Sequence, residues 1–424
     1  VHLFAVGHFA QRSSELSMST TARPTLAASS DSSRGLTAFV HAGFIVAGAV
    51  TILLGPILPM LAARWSLKDA QTGYFFLAQF LTAILGSAIS SYAIPRWGYK
   101  KSFVASFCLI GIGIAALGHF EWIGTLVAIS IYGAGLGFLS PATNLWIGEA
   151  AKTGRAGALN LINFSWTAGA MVCPFLVALT SGDEHLNYLL YGFTFAAAAL
   201  AIASVFLPLD LPVTIDAPRS ESSASAAGGS YLVVTILFGV VFFLHLGSEN
   251  AIGGWVASYS HRILDPNSRA WIVTPSLFWG GLLAGRAVAP TILKRVSEIR
   301  VVQFALAIAI VGVAILISAN GLVGITVGTF VAGAGVAPVF ASLMSWMVRA
   351  YGAAARALAG QLLGVGILGG ACVPWGVGVL STHFGSLKYG LALVLFTLVC
   401  TLLLASLLNS RSASQVWSSS RSAS

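Results

Sequence analysis

Charge is scarce in this chain. Only 8% of its 424 residues are Asp, Glu, Lys or Arg, against roughly 25% in a soluble domain, which excludes an ordinary water-soluble globule. Carboxylates are rarer than bases, 13 against 22, and only Glu149 and Glu249 lie in or at the edge of an apolar run. No paired-carboxylate set and no HExxH motif occurs, so hydrolytic chemistry lacks its groups; no enzyme, metal or cofactor is expected. There is no Walker loop, which argues against ATP-driven work. The four cysteines, Cys108, Cys173, Cys372 and Cys400, fall singly inside apolar runs; they form neither a CxxC site nor a disulfide framework. The formal charge of +9 is scattered over short segments, and no nucleic-acid partner is expected.

What the chain has is hydrophobic length. Apolar runs of about 20 residues recur along it, each long enough to cross a bilayer as a helix. Twelve spans are expected, at 36–62, 70–94, 101–119, 123–149, 158–180, 188–207, 231–260, 270–292, 301–318, 321–348, 357–381 and 388–408. The fold class is therefore all-α membrane protein, with twelve transmembrane helices in two pseudo-symmetric six-helix bundles, 34–208 and 231–408. The polar segment 209–230, "LDLPVTIDAPRSESSASAAGGS", reads as a linker between them. The tails 1–33 and 409–424 are polar, Ser-rich and expected to be disordered. A first residue of Val, with Met18 ahead of "STTARPTLAASSDSSRG", points to a natural start at Met18.

With both termini in the cytoplasm, seventeen of the 22 Lys and Arg residues lie inside and five (Arg64, Lys68, Arg262, Arg269, Lys388) outside. This is the bias that the positive-inside rule demands. The expectation is a monomeric, multi-pass protein of the cell inner membrane, with the lipid bilayer as its environment. The halves also resemble each other. At an offset of 200 residues Gly135 meets Gly335, Trp146 meets Trp346, Gly169 meets Gly369 and Pro174 meets Pro374. Two repeats about a linker suit alternating access, with solute held near the midplane.

Polar residues inside a bilayer are rare and usually functional. "FFLHLGSENAIGGW", in the seventh span, carries His245 and Glu249 four positions apart, hence on one helix face. The span has no Lys or Arg to neutralise Glu249, so a His–Glu pair that shares or loses a proton is expected, Glu249 as the proton site and His245 tuning it. The structural alternative is a pair neutralised for packing alone. Asn160, Asn163 and Thr167 form one polar stripe on the fifth span; Asn144, Asn250 and Gln361 are placed to converge from neighbouring spans. Amides donate and accept, which suits a polyhydroxylated ligand; the alternative is interhelical hydrogen bonding that holds the bundle. Trp166, Trp279 and Trp346 are candidates to stack under a sugar ring, and Trp255 reads as belt or lid. Glu149, beside Lys152 and Arg155 at the cytoplasmic end of the fourth span, reads as a gate or structural ion pair, with Arg96 or a neighbouring base as partner; the alternative is substrate contact.

Two motifs carry a family resemblance. "SYAIPRWGYKK", after the second span, resembles the loop signature of the major facilitator superfamily through Arg96, Gly98, Lys100 and Lys101; Pro95 stands where that signature has an acid. "GGLLAGRAV" is similar to its second copy and keeps Gly281 and Arg286. Within the superfamily, "LLGPILPML", "NLWIGEAAKTGRAGALNLINFSWTAGAMVCPFL" and "HLGSENAIGGW" resemble the fucose–glucose–galactose proton symporters and their bacterial relatives. Fucose permeases carry an acid in the first span, where this chain has only His41. The resemblance implies secondary active transport, proton-coupled symport of a sugar or similar small polar solute, with Arg96, Glu149, Arg155 and Arg286 at gates. Na⁺ is the alternative coupling ion. A proton-driven exporter of amphiphilic compounds, or a transport-inactive membrane receptor, would share the same spans.

Overall fold

The structure is a computed structural model and describes residues 26–151, 155–180, 185–210, 229–265 and 268–421. The described chain is almost entirely helical, as a bilayer requires: lipid offers peptide groups no hydrogen bonds, so each crossing must satisfy its own. The helices are α1 (Leu26–Arg64), α2 (Asp69–Ala116), α3 (Trp122–Ala150), α4 (Arg155–Leu179), α5 (His185–Phe206), α6 (Gly229–His261), α7 (Ala270–Leu293), α8 (Glu298–Ser318), α9 (Leu322–Val336), α10 (Val339–Phe384) and α11 (Leu387–Arg421).

Eleven stretches are long and apolar enough to cross a membrane. One of them, α2, has 48 residues, about 72 Å at 1.5 Å per residue, and is far too long for one crossing. Gly98 breaks it, with φ 77° and ψ 173°, a left-handed conformation that glycine alone adopts without strain. The second and third spans thus meet at Gly98, and the expected twelve crossings stand. Two boundaries differ from expectation. The tenth span is interrupted at Pro338, dividing α9 from α10. The loop expected near 348–357 is instead helical, because "AYGAAARALA" is rich in alanine, the strongest helix former. Crossings ten and eleven are Leu322–Arg349 and Gly360–Phe384. The terminal helices also run past the spans, α1 from Leu26 and α11 to Arg421, since an established helix extends at little cost. Residues 1–25 of the N-terminal tail, 211–228 of the linker and 422–424 lie outside the described residues.

Helices α1–α5 pack among themselves, as do α6–α11; α2 with α10, α4 with α7, and α1 with α6 and α7 join the two groups. The offset-200 repeat acquires a physical basis. A side chain on Gly169 of α4 would collide with the Ile45 carbonyl of α1, and one on Gly369 of α10 with the Phe243 carbonyl of α6. Likewise Gly135 meets the backbone of Ser106 and Ile110, while Gly335 meets that of Ala305 and Ala309. Lipid-embedded helices gain little from burying apolar surface against one another, so small residues that admit close backbone contact hold them together.

Gly169→Val and Gly369→Val should each lower the melting temperature of the detergent-purified protein, with a cost of about 1–3 kcal/mol for overpacking. Gly360→Ala, where an added methyl meets nothing, should leave it unchanged or raise it. Equal tolerance at all three positions would refute this packing account.

Candidate functional site

The site is built around α6. Its period places His245, Glu249 and Asn250 within one turn and a residue of each other. His245 is 0% exposed, and its Nε2 lies 3.8 Å from Oε2 of Glu249, whose side chain is 14% exposed. Neither ring nitrogen has a hydrogen-bond partner among the described residues. A base does reach this pair, from the next helix. Arg286 of α7 is near enough to interact electrostatically with both His245 and Glu249. Its Nη1 donates to Oγ1 of Thr167 at 3.3 Å, and that hydroxyl donates to the Asn163 carbonyl at 2.9 Å. The sequence motif reads Arg286 as a gate residue; the structure places it instead between the polar stripe of α4 and the charged pair of α6.

Above the pair, a small space between the halves is lined by Thr51, Gln79 and Phe80 on one side and by Asn250, Gly253 and Trp279 on the other. Trp279 packs edge-on against Trp166, with ring centroids 5.4 Å apart. Its buried indole N–H has no protein acceptor. Trp166, Trp279 and Asn250 are therefore brought together, as the sequence suggests. Gln79 was not anticipated. It is 1% exposed; its Nε2 donates to the Thr51 carbonyl at 2.9 Å, and its Oε1 accepts from the Tyr132 hydroxyl at 3.0 Å. The signal was present: Gln79 stands at helical spacing from Thr72 and Thr82 in an apolar span.

The amides bear on the bundle-holding alternative. Asn144, Asn163 and Asn250 each donate to a carbonyl four residues earlier in their own helix. None bonds another helix, so each keeps its side-chain carbonyl and one N–H for other use. Asn160 and Gln361 are exposed and are not joined to the others. Trp346 is not part of the site: it packs on Phe238 at 5.4 Å in an aromatic cluster with Phe242 and Phe340. Trp255 is no belt residue, because it is buried, bonds the Pro374 carbonyl at 2.8 Å and meets Phe76.

The two ends of the path differ. Toward the face that carries Arg64, Lys68 and Arg262, Gly55 touches the Gly253 carbonyl and Gly254 meets the Phe76 ring, so the halves are closed on each other along α1, α2 and α6, beside a cavity of about 690 Å³ lined by Met60, Arg64, Leu190, His261 and Trp271. Toward the Lys- and Arg-rich face, the α4 stripe is covered at Thr167 and exposed at Asn163 and Asn160. In this conformation Arg96 does not meet Glu149. It turns back to the Tyr92 carbonyl at 3.0 Å and lies over the Tyr92 ring. Lys100 of the loop motif faces Asp210 at 3.7 Å. The Arg155 side chain lies outside the described residues.

Apolar crossings gathered in two helical halves that face each other across a polar centre are the frame of a membrane transporter. The chain belongs to the major facilitator superfamily, whose family profile matches residues 40–360. It is 23% identical over 369 residues to a glucose/galactose transporter of Brucella abortus biovar 1 (strain 9-941), covering 81% of this chain and 86% of that one. It is 21% identical over 410 residues to sodium-dependent glucose transporter 1A of Mus musculus, covering 86% and 94%. Among solved structures it resembles a D-xylose-proton symporter with a TM-score of 0.72 and 14% identity, covering 87% of this chain and 96% of that one.

Gln79→Leu should destabilise the protein by about 1–3 kcal/mol, because it leaves the buried Tyr132 hydroxyl without its acceptor and removes the bond to the Thr51 carbonyl. Gln361→Leu should not. Matching melting temperatures for the two variants would contradict the role of Gln79 as a tie between α1, α2 and α3.

Proposed function

We propose that this chain is a proton-coupled symporter of a sugar or similar small polar solute, working by alternating access in the cell inner membrane with both termini cytoplasmic. The observation that carries the reading is the buried His245–Glu249 pair, within the field of Arg286 and one residue from Asn250 and the tryptophan-lined space. The glucose/galactose and xylose names of its relatives support the solute class.

The physical logic runs through charge. A carboxylate at this depth costs several kcal/mol unless it is neutralised by a proton or a cation. With Arg286 near, Glu249 tolerates its charge while the crevice is open; when the crevice closes and water leaves, attraction and desolvation both grow. Proton binding at Glu249 removes one of the two charges before closure, and loss on the other side restores it. His245 shares the face and sets how readily the proton stays. Asn163, Asn160, Asn250 and Gln361 supply hydrogen bonds to a hydroxylated solute, and Trp166 and Trp279 supply aromatic faces and an N–H. Arg286 donates to Thr167, one turn along α4 from Asn163, so the proton site and the solute amides lie on neighbouring turns of the same crevice.

Glucose is the first probe. In proteoliposomes Glu249→Gln should still bind and exchange it but lose accumulation driven by a pH gradient, whereas Asn163→Ala should weaken binding about 2- to 10-fold, the value of one net hydrogen bond. Uphill uptake persisting in Glu249→Gln would refute the proton assignment, and uptake that follows a Na⁺ gradient would move Glu249 to a cation site. For orientation, an impermeant thiol reagent should reach a cysteine at Ser386 in intact cells and one at Ser297 only after permeabilisation; the reverse pattern would invert the topology.

A further inference from the structure

At the closed face an ionic contact joins the halves, and it is concentrated on a single carboxylate. Asp69, the first residue of α2, accepts from Arg262 Nη2 at 2.5 Å through Oδ1 and from the Ser381 hydroxyl through Oδ2. The next residue, Ala70, donates its backbone N–H to Thr382 Oγ1 at 2.8 Å. One end of α2 is thus tied to the last turns of α6 and α10, both in the other half. The carboxylate also sits at the positive end of the α2 dipole, which favours its charge there.

Beneath this cluster, the contact between α2 and its neighbours across the halves is apolar or backbone packing. A side chain on Gly378 would strike the Asp69 carbonyl, Gly73 lies against Trp375, and Phe76 lies against Trp255. Such surfaces part without stranding a polar group. Separating α2 from α6 and α10 at the closed face breaks three hydrogen bonds at Asp69 and Ala70, two of them to an ionised oxygen and so stronger than neutral ones.

We propose that Asp69, held by Arg262 and Ser381, is the latch of the outward gate and sets the fraction of carriers closed on that face. The proposal rests on alternating access, but on neither the solute nor the coupling ion. Releasing the latch changes the populations of the two conformations without altering the solute contacts.

The test reads accessibility with no solute present, so it fails or succeeds apart from the sugar and proton assignments. Ser258 lies one turn beyond Gly254 on the same face of α6 and is buried; Ser258→Cys in the full chain reports opening to an impermeant maleimide added outside, with the chain lacking that change giving the background of native thiols. Asp69→Asn should speed labelling at least about fivefold, given that a bond to a charged group at a partly exposed site is weakened by screening. Arg262→Gln, at an exposed helix end, should do the same. Glu121→Gln, an acid on the same face away from the gate, should leave the rate unchanged. Labelling as slow in Asp69→Asn and Arg262→Gln as in the parent, or equally accelerated by Glu121→Gln, overturns the latch.

Discussion

A slab of hydrocarbon accepts neither an unbonded peptide group nor an unpaired charge, and every other feature of this protein follows from that refusal. It makes each crossing a helix. It also gives each polar side chain within a crossing a cost that must be met locally, which is why His245 and Glu249 lie side by side. The base within their electrostatic reach comes not from their own helix but from α7: Arg286, which donates to Thr167 of α4. Placing one carboxylate at this depth therefore engages residues from both halves of the molecule, and the centre of the protein is electrostatically indivisible.

Within each half the constraint acts differently. Helices in lipid are not driven together by their apolar faces, so close backbone contact does that work, and the same glycine positions recur in both repeats. Gly169 against Ile45 and Gly369 against Phe243 are the same joint made twice. Joints this close leave little room for sliding inside a half. Where the halves face each other, by contrast, Asn250 and the Trp279 indole line a space between them without a partner in another helix among the described residues. Rigidity within and adaptability between are consequences of where glycine and amide were placed.

The crossings were legible in the sequence because a run of apolar residues is a one-dimensional signal. Where composition and topology disagreed, the reading slipped: alanines carried α10 through an expected loop, and Pro338 broke a span that hydropathy showed as continuous. The α4 stripe was legible because Asn160, Asn163 and Thr167 share a helical period. Gln79 shares a period with Thr72 and Thr82, but its partners, the Thr51 carbonyl and the Tyr132 hydroxyl, lie on other helices. Arg286 was legible as a motif residue, but a motif says where a residue falls along the chain and not which helix faces it. The ties of Asp69 to Arg262 and Ser381 span 193 and 312 residues, and no local pattern reports a pairing at that distance.

The two seams between the halves are not alike. Along α4 and α7, hydrogen bonds cross at three depths: Arg269 to the Ala178 carbonyl, Ser276 to the Met171 carbonyl and Arg286 to Thr167. Along α2 and α10 they cross only at the tip, around Ala70 and Asp69. Parting the halves along the first seam would strand donors at three depths, whereas parting them along the second would strand them at one end alone. For the alternating access proposed above, the first seam is the spine of a book and the second the free edges of its pages: the swing would be a wedge and not a symmetric rocker.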